Sequence, residues 1–374
     1  MNETVWLLPG LRTPFAKAGG ALARYDAIEL AVPVVRAMIE RLAGAKPDFA
    51  CWGTVLPSLA WSNIAREVQL DAKVDPTIPA FSTVMACSTS MIGAIEAASM
   101  LEGTHRSLAL AGGSESLSTA QVTSLTNRST GKSMGEHMEF TVNAMGTIPR
   151  DEQDRCALAS HRAAVAAWDR GFFDDLVVPF GGVMRDAIPR SDTSLEKLAR
   201  LEPAFDPHNG TITAGNASPL TDGAAGLWVA SDAGLARLPK DLPRAKLVDW
   251  ELAAIDIWNE GLLMAPAHAI PRLLARHDLR YDDVALWEIH EAFAAQVLAH
   301  IAVLERHREF GPFPRERVNP NGGTLALGHP FGATGARILS QAVKELAQFP
   351  AHERAIVSIC ADGGQGTVAL LEAP

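Results

Sequence analysis

The chain has 374 residues, too many for one simple core and enough for two or three domains, and it carries a formal net charge of −10. Apolar residues make up 48% and charged residues 20%, which excludes disordered, collagen-like and other fibrous classes. The acidic balance argues against binding to nucleic acid or an anionic membrane, and an anionic ligand would need a locally basic pocket or a helix N-terminus.

In chain order, short apolar runs at 5–8, 50–55, 80–85 and 107–111 predict strands, and helical periodicity predicts helices over 28–42, 88–102 and 150–170. The second half repeats the mixture, with strands at 247–252, 284–289 and 355–359 and helices over 292–304 and 335–346. This alternation predicts an α/β fold with parallel or mixed sheets. Residues from about 117 to 220 break the rhythm. They are polar, interrupted by Pro149, Pro179, Pro189, Pro203, Pro207 and Pro219, and read as an inserted covering domain. The expected division is 1–116 with 221–242, the insert 117–220, and 243–374. The chain opens with neither a basic, apolar leader nor an Arg-rich transit pattern. Its most apolar long stretch, 81–101, contains Glu96 and several serines. The expectation is a cytoplasmic protein without a transmembrane segment.

Four cysteines, Cys51, Cys87, Cys156 and Cys360, show no CxxC spacing, which argues against a disulfide framework or a zinc site. Cys87 ends an apolar run and opens Ser88-Thr89-Ser90 at a strand-to-helix junction. Orphan N–H groups and the helix dipole there favour a thiolate, and such placement lowers a cysteine pKa from about 8.5 into the range of roughly 3.5–7.5. The plainer reading is a small buried hydrophobe. His329 sits in the glycine-rich turn from Gly328 to Gly335, which has neither Walker nor Rossmann spacing. A histidine there can bond a carbonyl oxygen or take a thiol proton, or it can be incidental. His290-Glu291-Ala292-Phe293 tempts towards zinc, but the HExxH pattern is absent because residue 294 is alanine. Cys360 precedes the glycine turn at Asp362-Gly363-Gly364, with a buried hairpin thiol as the alternative. Together the two cysteines and two histidines fall at expected strand ends, where α/β folds bind ligands.

These segments resemble the thiolase family, and the resemblance runs across essentially the whole chain. Gly10-Leu11-Arg12-Thr13-Pro14-Phe15 is similar to the family's opening segment, and Ala86-Cys87-Ser88-Thr89-Ser90 to its nucleophile segment. Met134-Gly135 with the run Arg150 to Asp154 is similar to its covering domain. Thr213 to Ser218 with Asp222-Gly223-Ala224-Ala225, the stretch Gly328 to Arg337, and Cys360 to Gly366 complete the resemblance.

The resemblance implies the thiolase fold: five αβαβα layers from two similar halves, with an inserted loop domain. It implies a 3-ketoacyl-CoA thiolase working in two steps. Cys87 attacks the ketone carbon, Cys360 protonates the acetyl-CoA carbanion and later deprotonates CoA, and His329 activates Cys87. His329 and His290 are the implied donors to the enolate oxygen, and the backbone N–H groups of Cys87 and Asp362 serve the other oxyanion. Ser218, Ala214, Met134 and Met264 are implied contacts of acyl-CoA, with Arg190 placed for a phosphate or adenine. CoA and acyl-CoA enter as substrates, and no cofactor or metal is implied. A biosynthetic acetoacetyl-CoA thiolase and a low-activity acyl-CoA-binding or partner-docking module stay open as alternatives.

Three departures sharpen the expectation. His290-Glu291-Ala292-Phe293 replaces the commoner Asn-Glu-Ala-Phe and resembles the thiolase subunits of fatty-acid oxidation complexes. That points to thiolytic breakdown and to a hydratase/dehydrogenase partner. The stretch between Cys87 and Met134 is shorter than usual where the family's tetramer arm lies, so a homodimer is expected rather than a tetramer. Within that same stretch, Ser133 stands where several relatives carry a histidine. Asp362 occupies a position usually held by glycine or alanine, and an inward carboxylate disfavours a nearby thiolate or enolate.

Overall fold

A computed structural model describes residues 4–42, 44–120 and 125–374. The first half runs β1 (Val5–Arg12), β2 (Ala16–Lys17), α1 (Ala27–Glu40), β3 (Phe49–Gly53), α2 (Ile64–Asp71), β4 (Ala80–Phe81), α3 (Thr89–Leu101) and β5 (Leu108–Glu115). Next come α4 (Met134–Met145), α5 (Arg150–Asp169) and α6 (Leu195–Ala199), before the chain returns to the sheet as β6 (Thr221–Ser231) followed by α7 (Asp232–Leu235). The second half runs β7 (Ala245–Ala254), α8 (Ala265–Arg276), β8 (Leu286–Ile289), α9 (Ala294–Leu304), α10 (Thr324–Leu327), α11 (Thr334–Leu346), β9 (Arg354–Ala361) and β10 (Gln365–Glu372).

The strand order β4-β3-β5-β6-β1-β7-β10-β9-β8 contains one pattern twice. β3 lies parallel to β5, which runs antiparallel to β6, which runs antiparallel to β1. β8, β9, β10 and β7 repeat that sequence of pairings. Among the described residues the half-sheets pair only where Trp6 and Leu7 of β1 meet Lys246 and Ala245 of β7.

Strand side chains alternate between layers because successive Cβ atoms point to opposite faces. Ala109, Ala111, Leu227 and Val229 join Val357, Ile359, Ala369 and Leu371 in a central core. Their neighbours Leu108, Leu110, Trp228 and Ala230 face α1 and α2, while Ile356, Val368 and Leu370 face α8 and α9. α3 and α11 fill the space between the half-sheets. Both faces of each half-sheet are therefore covered, which gives five layers. α3 suits the middle because small and apolar residues cover most of its circumference, with Ser90, Met91, Gly93, Ala94, Ala97 and Ala98 all buried.

The expected strand 80–85 stops at Phe81. β4 is an edge strand that pairs only with Ala50 and Cys51 of β3, and beyond it the chain turns into the Cys87 segment. β6 was not foreseen, although it is 11 residues long and buried throughout. Its Thr-Asp-Gly-Ala-Ala-Gly opening lacks the β-branched run that marks a strand. Bulk is excluded there: a Cβ on Gly226 would lie 2.8 Å from Met38 Sδ, and one on Gly10 would lie 2.0 Å from Gly226 O. α2, α4 and α8 were also unforeseen, the last because Pro266 and Pro271 break its helical signature. Among the described residues no helix is long and apolar enough to cross a membrane.

The middle layer supplies a test. A Cβ on Gly335 of α11 would sit 2.3 Å from the Met91 backbone nitrogen of α3. Gly335→Ala forces the two central helices apart and costs about 1–3 kcal/mol, read as a lower denaturant midpoint. An unchanged midpoint would show that the helices do not touch as described.

Candidate active site

Cys87 stands at the end of a strained turn. Ala86 before it has φ 43°, in the left-handed region, which costs a non-glycine residue about 1–2 kcal/mol. A small network holds the turn in place. Met85 N donates to Thr89 Oγ1 at 2.9 Å, Thr89 Oγ1 donates to Ala86 O at 2.7 Å, and Ser88 N donates to Met85 O at 3.0 Å. Ser88 Oγ donates to Thr367 Oγ1 of β10 at 2.7 Å, and Ser90 Oγ accepts from Ala336 N of α11 at 2.9 Å. The cysteine is thereby fixed to elements of both halves.

Cys87 opens onto a cavity of about 440 Å³. Val55, Leu56 and Phe331 form one wall, residues of the segment between β5 and β6, including Ser133, Met134, Phe205, Ala217 and Ser218, form another, and Phe293, His329 and Asp362 complete it. Because β8 and β9 are parallel neighbours, His290, just past β8, lies beside Cys360, the penultimate residue of β9. His290 N donates to Ser358 O at 2.9 Å, and Cys360 Sγ lies 3.5 Å from His290 Nδ1. The His290 and His329 ring centroids are 4.3 Å apart.

The hydrogen-bond network assigns the His329 tautomer. Thr334 Oγ1 donates to Pro330 O at 2.9 Å, so it accepts from His329 Nδ1–H at 2.7 Å, and His329 Nε2 carries a lone pair. Cys360 Sγ and His290 Nδ1 lie within hydrogen-bond reach, with donor and acceptor set by the His290 tautomer. Both Nε2 atoms are buried without a protein partner among the described residues.

Burial keeps this cluster uncharged. It pushes the Cys87 thiol up to about 12, the Asp362 charge adds to the effect, and the backbone N–H groups of Cys87 and Asp362 oppose it by facing the sulfur. Burial, then Cys87, holds Cys360 well above the usual thiol range. Burial and the Arg337 guanidinium bring His329 down to about 3, and burial, His329 and Arg337 bring His290 well below its usual value. The resting site therefore holds two thiols and two neutral imidazoles. The expectation of a depressed Cys87 pKa is corrected here. α3 begins only at Thr89, and desolvation outweighs its N-terminus.

Of the residues singled out in the sequence, Cys87, His329, Asp362, Met134 and Ser218 line the cavity, with Cys360 and His290 in contact beneath. Met264 is buried at the start of α8 in the apolar cluster that contains Cys360 and Phe293. Ala214 and Arg190 are exposed and do not line the cavity, and Arg190 N donates to His161 Nδ1 at 3.2 Å.

Two residues went unnoticed. Glu115, buried at the end of β5, accepts from Val55 N, Leu56 N and Gly332 N, each at 3.0 Å, and so joins the cavity wall to the His329 turn. A carboxylate closing the apolar run Leu108 to Gly113 is the signal that could have found it. Asn127, whose Nδ2 donates to Asp362 Oδ1 at 2.7 Å, carried no such signal.

The chain matches the family profile "Thiolase, N-terminal domain" over residues 5–233 and "Thiolase, C-terminal domain" over 242–373. It is 32% identical to a 3-ketoacyl-CoA thiolase of Shewanella denitrificans, with 99% of this chain and 97% of the relative covered. It is 33% identical to a probable 3-ketoacyl-CoA thiolase of Caenorhabditis elegans, with 98% and 93% covered. Among solved structures it resembles the Bacillus anthracis acetyl-CoA acetyltransferase with TM-score 0.88 at 32% identity, covering 100% of this chain and 99% of that one. It also resembles a thiolase from Ascaris suum in complex with coenzyme A, with TM-score 0.87 at 30% identity and 100% of both chains covered.

The raised thiol pKa has a measurable sign. Well below about pH 12 the thiolate fraction grows about tenfold per pH unit. The rate of Cys87 alkylation by iodoacetamide in the free protein, followed by peptide mass mapping, climbs without a plateau from about pH 7 to about pH 10. A plateau reached below about pH 8 would mean a thiolate already formed at rest.

Proposed function

From the premise that the chain belongs to the thiolase family, we propose that it is a 3-ketoacyl-CoA thiolase. It transfers the acyl group of a 3-ketoacyl-CoA to CoA through an acyl-enzyme on Cys87 and releases acetyl-CoA. The observation that carries this reading is the placement of Cys87 and His329 on one cavity wall, with His290 packed on His329 and Cys360 against His290.

In this reading His329 serves as the base and His290 carries its proton on Nε2. The Cys87 proton passes to the His329 Nε2 lone pair as sulfur attacks the ketone carbon, and the resulting oxyanion faces the N–H groups of Cys87 and Asp362. Collapse breaks the bond between C2 and C3 and leaves the electron pair on the acetyl thioester as an enolate. His290 Nε2–H and the now protonated His329 donate to the enolate oxygen, each donor worth about 3–4 kcal/mol in such a site. The Cys360 thiol protonates C2, and acetyl-CoA departs. The Cys360 thiolate then takes the proton of incoming CoA, whose sulfur attacks the acyl-Cys87 thioester and expels the Cys87 thiolate, which regains its proton from His329. Charge develops only during the reaction, in keeping with the neutral resting cluster.

The segment 117–220 serves in this reading as the cover that binds CoA, with Ser218 and Met134 along the pantetheine arm, Ala214 and Met264 nearby, and Arg190 for the nucleotide. Arg190 has no ion-pair partner among the described residues, which leaves its guanidinium available to an anion. The assembly is a homodimer, supported by the short edge strand β4 and the exposed Val84 beyond it. The His-Glu-Ala-Phe segment supports a hydratase/dehydrogenase partner. The four free cysteines support a reducing, cytoplasmic setting.

Thiolysis of acetoacetyl-CoA and of longer 3-ketoacyl-CoAs with CoA tests the proposal. The expected result is cleavage with higher kcat/KM on the longer chains, falling at least about 1,000-fold in Cys87→Ala. Strict preference for acetoacetyl-CoA would favour the biosynthetic reading, and no cleavage of any substrate would remove both.

A further inference from the structure

Asp362 sets a charge where the reaction needs none. It lines the cavity beside Cys87 in a wall otherwise dominated by Leu56, Leu125, Met134, Phe293 and Phe331. Its charge disfavours the Cys87 thiolate, and by the same Coulomb rule it disfavours an enolate nearby.

The carboxylate is nevertheless held in place. Oδ1 accepts from Asn127 Nδ2 at 2.7 Å and from Gly363 N at 2.7 Å. Asn127 is itself fixed: its Oδ1 accepts from Ser129 N at 3.0 Å and Thr130 N at 3.1 Å, and its N donates to Lys132 O at 2.8 Å. Oδ2 accepts no hydrogen bond among the described residues, and no lysine or arginine among them forms an ion pair with Asp362. His137 senses the charge, but burial and Lys132 lower its pKa, so it supplies no counter-cation. One oxygen is spent on positioning, and the other is left with an unused acceptor site.

An unpaired acceptor in an apolar wall is a selectivity element. A ligand that donates to it gains a charge-assisted bond, while an aliphatic ligand covers it without compensation. Resting on the thiolase reading, we propose that Asp362 selects 3-ketoacyl-CoA substrates whose acyl chain carries a hydrogen-bond donor, a hydroxyl or an ammonium group, close to the reacting carbonyl, with that donor bound to Oδ2. Such a donor also offsets the charge that opposes Cys87, so the preferred substrate completes the site it reacts in. Asn127 is the positioning residue for this contact, since it acts through the carboxylate.

The test uses matched 3-ketoacyl-CoAs of equal chain length, unsubstituted, hydroxylated and aminated, in thiolysis by the wild type and by Asp362→Asn. Asparagine keeps an oxygen for Asn127 and Gly363 but removes the charge. The wild type is expected to favour at least one donor-bearing chain by about tenfold or more in kcat/KM. In Asp362→Asn that ratio falls towards one while kcat/KM for the unsubstituted chain rises, an increase that structural damage does not produce. Asn127→Ala, which releases the carboxylate, lowers the ratio without removing the charge. Equal wild-type rates on all three chains, or a ratio unchanged in Asp362→Asn, overturn the proposal while thiolysis itself survives. A wild type that cleaves no 3-ketoacyl-CoA overturns the thiolase reading along with it.

Discussion

Desolvation is the constraint on which the remaining arrangement depends. Cys360, His290 and His329 are buried, Cys87 sits half-buried beside them at the cavity wall, and each is pushed towards its neutral form. Each pKa unit of displacement corresponds to about 1.4 kcal/mol between the two protonation states. A resting thiolate–imidazolium pair would bear that cost continuously. In the proposed reaction a neutral pair meets it only while sulfur attacks, when the developing oxyanion brings its own N–H donors into use. The site is thus arranged for charges that appear and vanish within a turnover, which is how preorganised donors do most for a transition state.

The burial follows from the layering. α3 and α11 lie between two half-sheets and are close enough that only glycine fits at position 335. Cys87 enters that middle layer through the strained Ala86, and His329 through the turn before α11, while His290 and Cys360 arrive on parallel neighbours of the second half-sheet. The four groups proposed to react come from both halves of a repeated pattern, so neither half forms the candidate site alone. Glu115 couples them further, since one buried carboxylate holds the wall at Val55 and Leu56 together with Gly332 of the histidine turn. Asp362 is the exception in this neutral setting, and its tether to Asn127 gives the exception a fixed direction.

Much of the layered architecture was legible because its strands are aliphatic and its helices periodic. The strands from 107, 284 and 355 and the helices from 28, 88 and 150 match observed elements within a few residues. β6 was not legible, since a central strand packed tightly on both faces favours Gly and Ala over the bulky residues that signal a strand. The positions of Cys87, His329, His290 and Cys360 could be read from motifs, and so could their convergence, through the family resemblance. Their protonation could not. A helix N-terminus argued for a thiolate, but burial depends on contacts such as those of α11 with α3 and of Phe293 with Phe205, far apart in sequence. Asn127 stayed hidden for the same reason, because only the folded chain brings it to Asp362.

The central claim, that Cys87 carries the acyl group, is tested most directly by intact-protein mass spectrometry after brief exposure to acetyl-CoA, with peptide mapping of the product. The account predicts a single acetyl increment on the wild type, mapped to Cys87, cleared by added CoA and absent from Cys87→Ala. An increment that persists in Cys87→Ala, or that maps to Cys360, would contradict it.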